Sequence, residues 1–381
     1  MLNWEQRELH EMVNFSKGKG YSKKDIVESG TPFMRYGNLY TDFEIEITDI
    51  KETVEEKPKS VKSKGGEILV PSSGETPSEI ARASTLLKKD VIIGGDINIL
   101  TVKNNNVLPT FLALDLNTNR NSKELSKYAV GNSVVHIYNK DLHRLKIYLP
   151  DIETQKKIIR IWRTLDKLLT LHKRKLKIID ETIHELREQL FSTKYIAGKK
   201  VKSEKMKLND FLEEVIEHSN KENQYPLLSS TNNGIETRSG RVSGSSNIGY
   251  KILRKNQLVL SPQNLWLGNI NINRDFEVGI VSPSYKVFDI KNIKIIYLEN
   301  ILKTERMKYN FDKISIQGAS VVRRNLDMKE FLNLEVRVTQ KNEQEKLVKT
   351  FVQLRNIKFS LRSKIKILEK LKILYLDKMF I

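Results

Sequence analysis

The chain contains no cysteine. That excludes disulfides, thiolate metal sites and a cysteine nucleophile, and it fits a reducing compartment. No run of about 18 apolar residues exists, so no membrane-spanning helix is expected. The N-terminal MLNWEQRELHEM carries acids where a signal peptide has its apolar core, which argues for a cytoplasmic protein. The phosphate-binding pattern G-x-x-x-x-G-K-[ST] is missing, so ATP use by this chain is not expected. So are the N-P-P-[YF] and D-P-P-Y loops that methyl transfer to an exocyclic amine would use. The six histidines, His10, His136, His143, His172, His184 and His218, show no H-x-x-x-H spacing, and no metal site is expected. Glu55-Glu56-Lys57 matches the E-x-K half of a nuclease motif, but no Pro-Asp precedes it, so it reads as loop charge. Proline and glycine are sparse, 9 and 18 in 381 residues.

Positive charge, by contrast, is abundant: the net charge is +19. It is unevenly spread, with 21 basic against 21 acidic residues in 1–151, 10 against 6 in 152–191, 24 against 16 in 192–340 and 11 against 4 in 341–381. A nucleic-acid partner and a merely soluble basic surface both fit such an excess. Because the first 151 residues are balanced, any nucleic-acid contact there must come from local patches.

Two long segments lack both proline and glycine, and they align without a gap at an offset of 189: IETQKKIIRIWRTLDKLLTLHKRKLKII (152–179) and KNEQEKLVKTFVQLRNIKFSLRSKIKIL (341–368). In the first, Ile158, Trp162, Leu165, Leu169, His172, Leu176, Ile179, Ile183, Leu186 and Leu190 recur at alternating steps of four and three. In the second, Leu347, Phe351, Leu354, Lys358, Leu361, Ile365, Leu368, Lys372, Tyr375 and Met379 do the same, with Ile357 and Leu371 expected to widen the seam beside the lysines. Each helix would be roughly 60 Å long. Alone it would be marginal in water. Burying each Leu or Ile is worth about 1.5–3 kcal/mol, so two such seams can hold each other. The seam lysines are expected to snorkel outward and His172 to set register.

The stretches between the helices read as mixed α/β and share landmarks in the same order. GTPFMRYGNLY (30–40) matches YPLLSSTNNGI (225–235), and GEILVPSSG (66–74) matches NQLVLSPQN (256–264). VIIGGDINIL (91–100) matches VGIVSPSYKVF (278–288), and GNSVV (131–135) matches GASVV (318–322). The chain therefore reads as a duplicated unit of globular domain plus long helix. ETVEEKPKSVKSKGG (52–66) is expected to be a charged, mobile loop and IAGKKVKSEK (196–205) a linker. The expected fold is two α/β (α+β) heads separated by a long antiparallel two-helix coiled coil, with a pseudo-two-fold internal repeat. Two like heads on such a spacer suit the reading of two separated half-sites on duplex DNA.

The order of these elements resembles the specificity subunit of type I restriction–modification systems over essentially the whole chain. That family places a run like L-P-x-x-E-Q-x-x-I before each long helix. Here the first copy is Leu149-Pro150-Asp151-Ile152-Glu153-Thr154-Gln155, ending at Ile158. The second is Asn342-Glu343-Gln344, ending at Leu347. Thr154 separates Glu153 from Gln155, and the second copy lacks the proline. GEILVPSSGETPSEIARA followed by VIIGGDINIL resembles one branch of the family's recognition domains; SPQNLWLGNI followed by VSPSYKVF resembles another. The resemblance implies target-recognition domains at 1–150 and 198–338, with spacer and docking helices at 151–197 and 339–381. It implies a non-catalytic DNA reader in which each domain reads half of a bipartite, asymmetric site. Two modification subunits would dock on the helices, carrying S-adenosylmethionine and methylating adenine. ATP-driven restriction or translocase subunits could join, and this chain itself would hold no cofactor.

Polar loops at strand ends are where base edges are read. The candidates in the first domain are Lys17, Lys19, Tyr21, Lys23, Lys24, Arg35, Tyr36, Asn38, Ser72, Ser73, Glu75 and Thr76. In the second they are Ser229, Ser230, Thr231, Asn232, Asn233, Arg238, Arg241, Gln263, Asn264, Trp266, Ser284, Tyr285, Arg323 and Arg324. Arginine can bond guanine bidentately, and Asn or Gln adenine; lysine suits phosphate. A solvated loop residue is the competing reading for each Ser and Lys, and a core residue for Trp266 and Tyr36. At the level of the chain, the competing readings are a coiled-coil adaptor whose heads bind protein and a self-contained enzyme.

Overall fold

The computed structural model describes residues 4–41, 43–129, 131, 134–191, 195–196, 199–200, 202–232, 234–238, 246–317 and 324–380. Among them, the helices of eight residues or more are α1 (Pro109–Leu116), α2 (Asn119–Tyr128), α3 (Ile152–Phe191), α4 (Ile295–Leu302), α5 (Glu305–Lys313) and α6 (Lys341–Met379). The chain divides into two compact units, residues 1–173 with 363–381 and residues 174–362. Each contains part of both long helices.

The first unit is built on a five-stranded sheet of β1 (Val13–Lys17), β2 (Glu46–Ile47), β3 (Glu67–Pro71), β4 (Ser84–Leu86) and β5 (Ile97–Val102), in the order β1-β5-β3-β4-β2. All pairs are antiparallel except β2 with β4. β3 is buried along its whole length, and after Glu67 it reads as an apolar run, Ile68 to Pro71, instead of alternating. A smaller sheet adds Thr31–Met34, parallel to Ile92–Ile93. An antiparallel pair, Glu5–Glu8 with Lys146–Leu149, leads directly into α3. Residues 52–66, expected to be mobile, are instead tied down. Thr53–Val54 is a strand of the smaller sheet, Lys57 pairs with Asp25, and the Lys57 amide donates to the Tyr21 hydroxyl.

The core of this unit gathers Leu9, Ile68, Leu100, Phe111 and Leu114 with Ile158, Ile159 and Trp162 of α3 and with Phe380. The rings of Trp4, Phe111 and Phe380 lie 5.2–6.3 Å apart. Antiparallel packing of α3 on α6 is marked by the Tyr375 hydroxyl donating to the Ile158 carbonyl (3.2 Å), by Lys372 pairing with Asp166, and by Lys173 pairing with Glu369 (2.9 Å). On α1, Asp115 is fully buried against Arg120 and Asn121. Burial pushes its carboxyl up to about 7, with the Arg120 charge opposing.

The second unit repeats the frame. Its sheet, β6 (Leu212–Glu214), β7 (Leu258–Leu260), β8 (Ile270–Ile272) and β9 (Lys286–Ile290), has the order β6-β9-β7-β8, wholly antiparallel. This is the order β1-β5-β3-β4 of the first unit. Leu227 bridges in parallel to Ile280, as Phe33 does to Ile92. Ser203–Lys207 pairs antiparallel with Glu335–Thr339 just ahead of α6, so the end of the segment expected to be a linker is a strand. Within this unit α3 and α6 are again antiparallel. Lys358 pairs with Asp180, and the rings of Phe191 and Phe351 are 5.5 Å apart.

Two shared features were not read from the sequence. Each unit carries a helix hairpin, α1–α2 or α4–α5, whose second helix is capped by a threonine. The Thr118 hydroxyl accepts from the Asn121 amide and that of Thr304 from the Met307 amide. Each long helix is also locked at its start by one buried glutamine. Gln155 accepts from the Leu108 amide at the head of α1 and donates to the Asn106 and Pro150 carbonyls, all at 2.9 Å. Gln344 accepts from the Lys294 amide at the head of α4 (3.1 Å) and donates to the Thr339 carbonyl (2.8 Å). These are the glutamines of the two motif copies, 189 residues apart.

Along both helices the heptad positions are buried or half-buried. Ile158, Trp162, Leu169, Leu347, Phe351, Leu361 and Ile365 are buried; Leu165, Leu176, Ile179, Leu354 and Leu368 are half-buried. Three details differ from expectation. Lys358 and Lys372 do not snorkel to water but end on Asp180 and Asp166 of the other helix. His172 turns its Nδ1 to the Leu168 carbonyl of its own helix (2.7 Å). Ile357 and Leu371 do not widen the seam, being 47% and 46% exposed.

Candidate nucleic-acid interface

In the first unit, β1 ends at Lys17 and turns back on residues 93–95. Gly18 makes this turn possible, since a β-carbon there would sit 1.9 Å from the Gly94 carbonyl oxygen. The segment Val135–Lys140 then closes over the end of the sheet. Val135–His136 pairs with Ser73–Gly74, the Ile137 amide donates to the Ser72 carbonyl, and the Asn139 side chain donates to the Ser16 carbonyl. Tyr138 stands exposed at the middle of this surface. The Lys17 and Lys140 ammonium groups lie 5.2 and 5.7 Å from its ring centre, and His136 stacks beside it at 6.1 Å. Tyr36 is exposed and meets Tyr40 edge-on at 6.0 Å, while the Tyr40 hydroxyl donates to the Ser73 carbonyl. Basic groups interleaved with aromatic rings give phosphate attraction and stacking faces together. His136, Tyr138 and Lys140 were absent from the sequence candidates. The short run HIYNK was their only signal.

Other candidates in this unit are committed to the fold. Arg35 forms a forked pair with Glu52 (3.2 and 3.0 Å), and Asn38 both accepts from the Arg35 amide and donates to Glu52. The Arg35 fork holds the Glu52 carboxyl below its usual range. Ser72 and Ser73 are buried and offer their backbones, not their hydroxyls, to neighbours. Thr76 caps the short helix Pro77–Ile80 in a reciprocal box with Glu79. Tyr21 packs on Phe33 at 5.5 Å. Lys19, Lys23, Lys24 and Glu75 are exposed.

In the second unit, the hairpin Leu228–Thr231 and Gly234–Thr237 presents Asn232 at its exposed tip. It is held from below by side chains. The buried Ser230 hydroxyl donates to Asn269 (2.6 Å) and accepts from Asn271 (2.7 Å), and Asn271 also donates to the Thr231 carbonyl (2.8 Å). The Lys303 ammonium donates to the other side of Asn271 (2.6 Å). Ser230 and Thr231 therefore serve the hairpin's shape, while Ser229 is half-buried. Arg324 is engaged as well: its guanidinium covers the Trp266 ring at 4.2 Å and pairs with Asp312. Asn264 and Tyr285 are half-buried, and Tyr285 packs against a small apolar cluster. Arg238, Gln263 and Ser284 are exposed. Asn233, Arg241, Arg323 and the whole of GASVV (318–322) lie outside the described residues. Among the described residues, no cluster of His, Asp and Glu could hold a metal, and no helix is long and apolar enough to cross a membrane.

Residues 1–181 match the family model for the type I restriction modification DNA specificity domain. Curated protein sequences give no match. A crystal structure of the S subunit of a type I restriction–modification system from M. genitalium superposes with a TM-score of 0.63 at 15% identity, covering 100% of this chain and 96% of that one. A structure bearing on complex assembly and conformational transition of the type I R-M system superposes at 0.58 and 13% identity, covering 100% and 98%. At these identities the superpositions speak for the fold, which is shared along the whole length. Residues 1–181 thus carry the type I restriction modification DNA specificity domain, and the chain as a whole shares the fold of the S subunit from a type I restriction–modification system.

Proposed function

We propose that the chain reads a bipartite DNA site without chemistry of its own. Each unit reads one half-sequence, α3 and α6 set the gap, and modification subunits that methylate adenine dock on the helices. The observation that carries this reading is the repetition of one frame within one chain: the same strand order, the same capped helix hairpin and the same glutamine lock. The exposed basic and aromatic groups around Tyr138 supply a first reading surface, and the Asn232 hairpin tip a second. Docking on the helices is supported by apolar side chains that face water. On α3, Ile161, Leu168, Leu171 and Ile178 are 39–50% exposed; on α6, Ile357, Ile367, Leu371 and Leu374 are 46–57% exposed. Those on α3 follow steps of seven, three and seven, a second heptad stripe beside the buried seam.

The test is duplex binding by the purified chain, measured by fluorescence anisotropy across a salt series. A reader making six to ten phosphate contacts loses roughly 10³–10⁵ in affinity between 50 and 200 mM salt. A flat salt response would favour a protein-binding adaptor and overturn the proposal. Replacing residues 198–338 with another recognition domain should change one half of the methylated site in the host genome and leave the other half intact.

A further inference from the structure

A cleft of about 400 Å³ opens within the second unit, between the hairpin Leu228–Thr237, α4 and the two long helices. Six cations line it: Arg187 from α3, Arg274, Lys303, and Arg355, Lys358 and Arg362 from α6. Two carboxylates, Asp275 and Glu299, share the wall. Asp275 is taken by Arg355 (2.6 Å) and Lys358 is taken by Asp180. Among the described residues, Arg187, Arg274 and Lys303 have no ion pair. Arg187 donates only to Asn300 (3.2 Å), and Lys303 only to Asn271. Burial pushes all three below their ordinary values; Glu299 opposes this at each of them, joined by Glu188 at Arg187 and by Asp275 at Arg274.

Desolvated cations that outnumber their counter-charges are costly, and like charges gathered in one cleft raise the cost. A lysine and two planar guanidinium groups around an open volume match the oxygens of a phosphate group in charge and in donor number. We propose that this cleft is a phosphate-group site, with Lys303 at its base and Arg187 and Arg274 at its sides. A DNA backbone phosphate and a free oligophosphate share that chemistry. Asn271 links Lys303 to Thr231 and Ser230, so an occupant also bears on the hairpin that carries Asn232. The proposal does not rest on the half-site reading above.

Tripolyphosphate titrated into the full-length chain, followed by calorimetry, tests this. The wild type is expected to bind one equivalent, with affinity reduced at least tenfold in Lys303→Met and in Arg274→Gln and unchanged in Lys221→Met, an exposed control. Two variants are used because Lys303→Met alone could disturb packing. If the wild type binds tripolyphosphate no better than both variants do, the site does not exist. If a duplex displaces the bound tripolyphosphate, and Arg274→Gln lowers the salt slope of duplex binding by about one, the occupant is a DNA phosphate. If tripolyphosphate stays bound beside the duplex, the occupant is a free anion. Loss of duplex binding with tripolyphosphate binding intact would sink the DNA reading and leave this site standing.

Discussion

At the scale of single residues, the fold turns on groups whose partners lie far away in sequence. Gln155 and Gln344 each tie the first turn of a long helix to the head of a helix beginning about 50 residues earlier. Leucine at either position fills the volume but strands buried backbone donors and acceptors, each worth about 1–3 kcal/mol. Gln155→Leu should lower stability by about 2–4 kcal/mol and Gln344→Leu by somewhat less, because Gln155 makes three such bonds and Gln344 two. Urea unfolding measures both; an effect under 0.5 kcal/mol, the range of a neutral surface change, would show that the lock is not used. The glutamines were visible in the motif, their partners were not. Arg35 and Arg324 teach the converse lesson. By residue type they resemble any base-reading arginine, and only the proximity of Glu52 and Asp312 shows that their guanidinium groups are already engaged.

At the scale of elements, the two long helices were the most legible part of the chain. A heptad repeat is a local property, and the seam positions named from it are buried or half-buried. The second stripe, Ile161, Leu168, Leu171 and Ile178, obeys the same arithmetic yet stays in water. Periodicity alone cannot say which of two apolar stripes faces the partner helix. Leu168→Glu with Leu171→Glu should therefore change stability by no more than about 0.5 kcal/mol, while binding to a modification subunit falls at least tenfold in sedimentation velocity. Equal binding by the variant would remove the docking role of this stripe. Within the seam, Lys358 and Lys372 stand two heptads apart, as do their partners Asp180 and Asp166. Such charges in an apolar seam favour one register, since a slipped alignment would bury them unpaired.

At the scale of the whole molecule, one design is written twice with different loops. Strand order, capped hairpin and glutamine lock recur, while the segment after β3 is a capped helical turn in the first unit and the segment after β7 a 3-10 turn at Pro262–Leu267. That is the pattern expected when a common scaffold carries two different reading surfaces. If the helices set the gap, seven residues added to both, after Lys173 and after Arg362, lengthen the spacer by about 10 Å. Methylome sequencing should then show two unchanged half-sites about three base pairs further apart, at 3.4 Å per base pair. A change within a half-site would refute the ruler.

The amino-acid sequence by itself determined the duplication, the lack of cysteine and of a G-x-x-x-x-G-K-[ST] run, and the heptad periodicity of the long helices. These follow from composition and from periods of a few residues. Tertiary structure alone decided which polar side chains remain free to meet a partner. It drew Ser72, Ser73, Arg35, Ser230 and Arg324 into the scaffold, brought His136, Tyr138 and Lys140 up beside Lys17, and gathered Arg187, Arg274 and Lys303 around one cleft. The reason is physical: a side chain's availability depends on the charges and hydrogen-bonding groups that folding places within a few ångströms of it, and those come from distant parts of the chain.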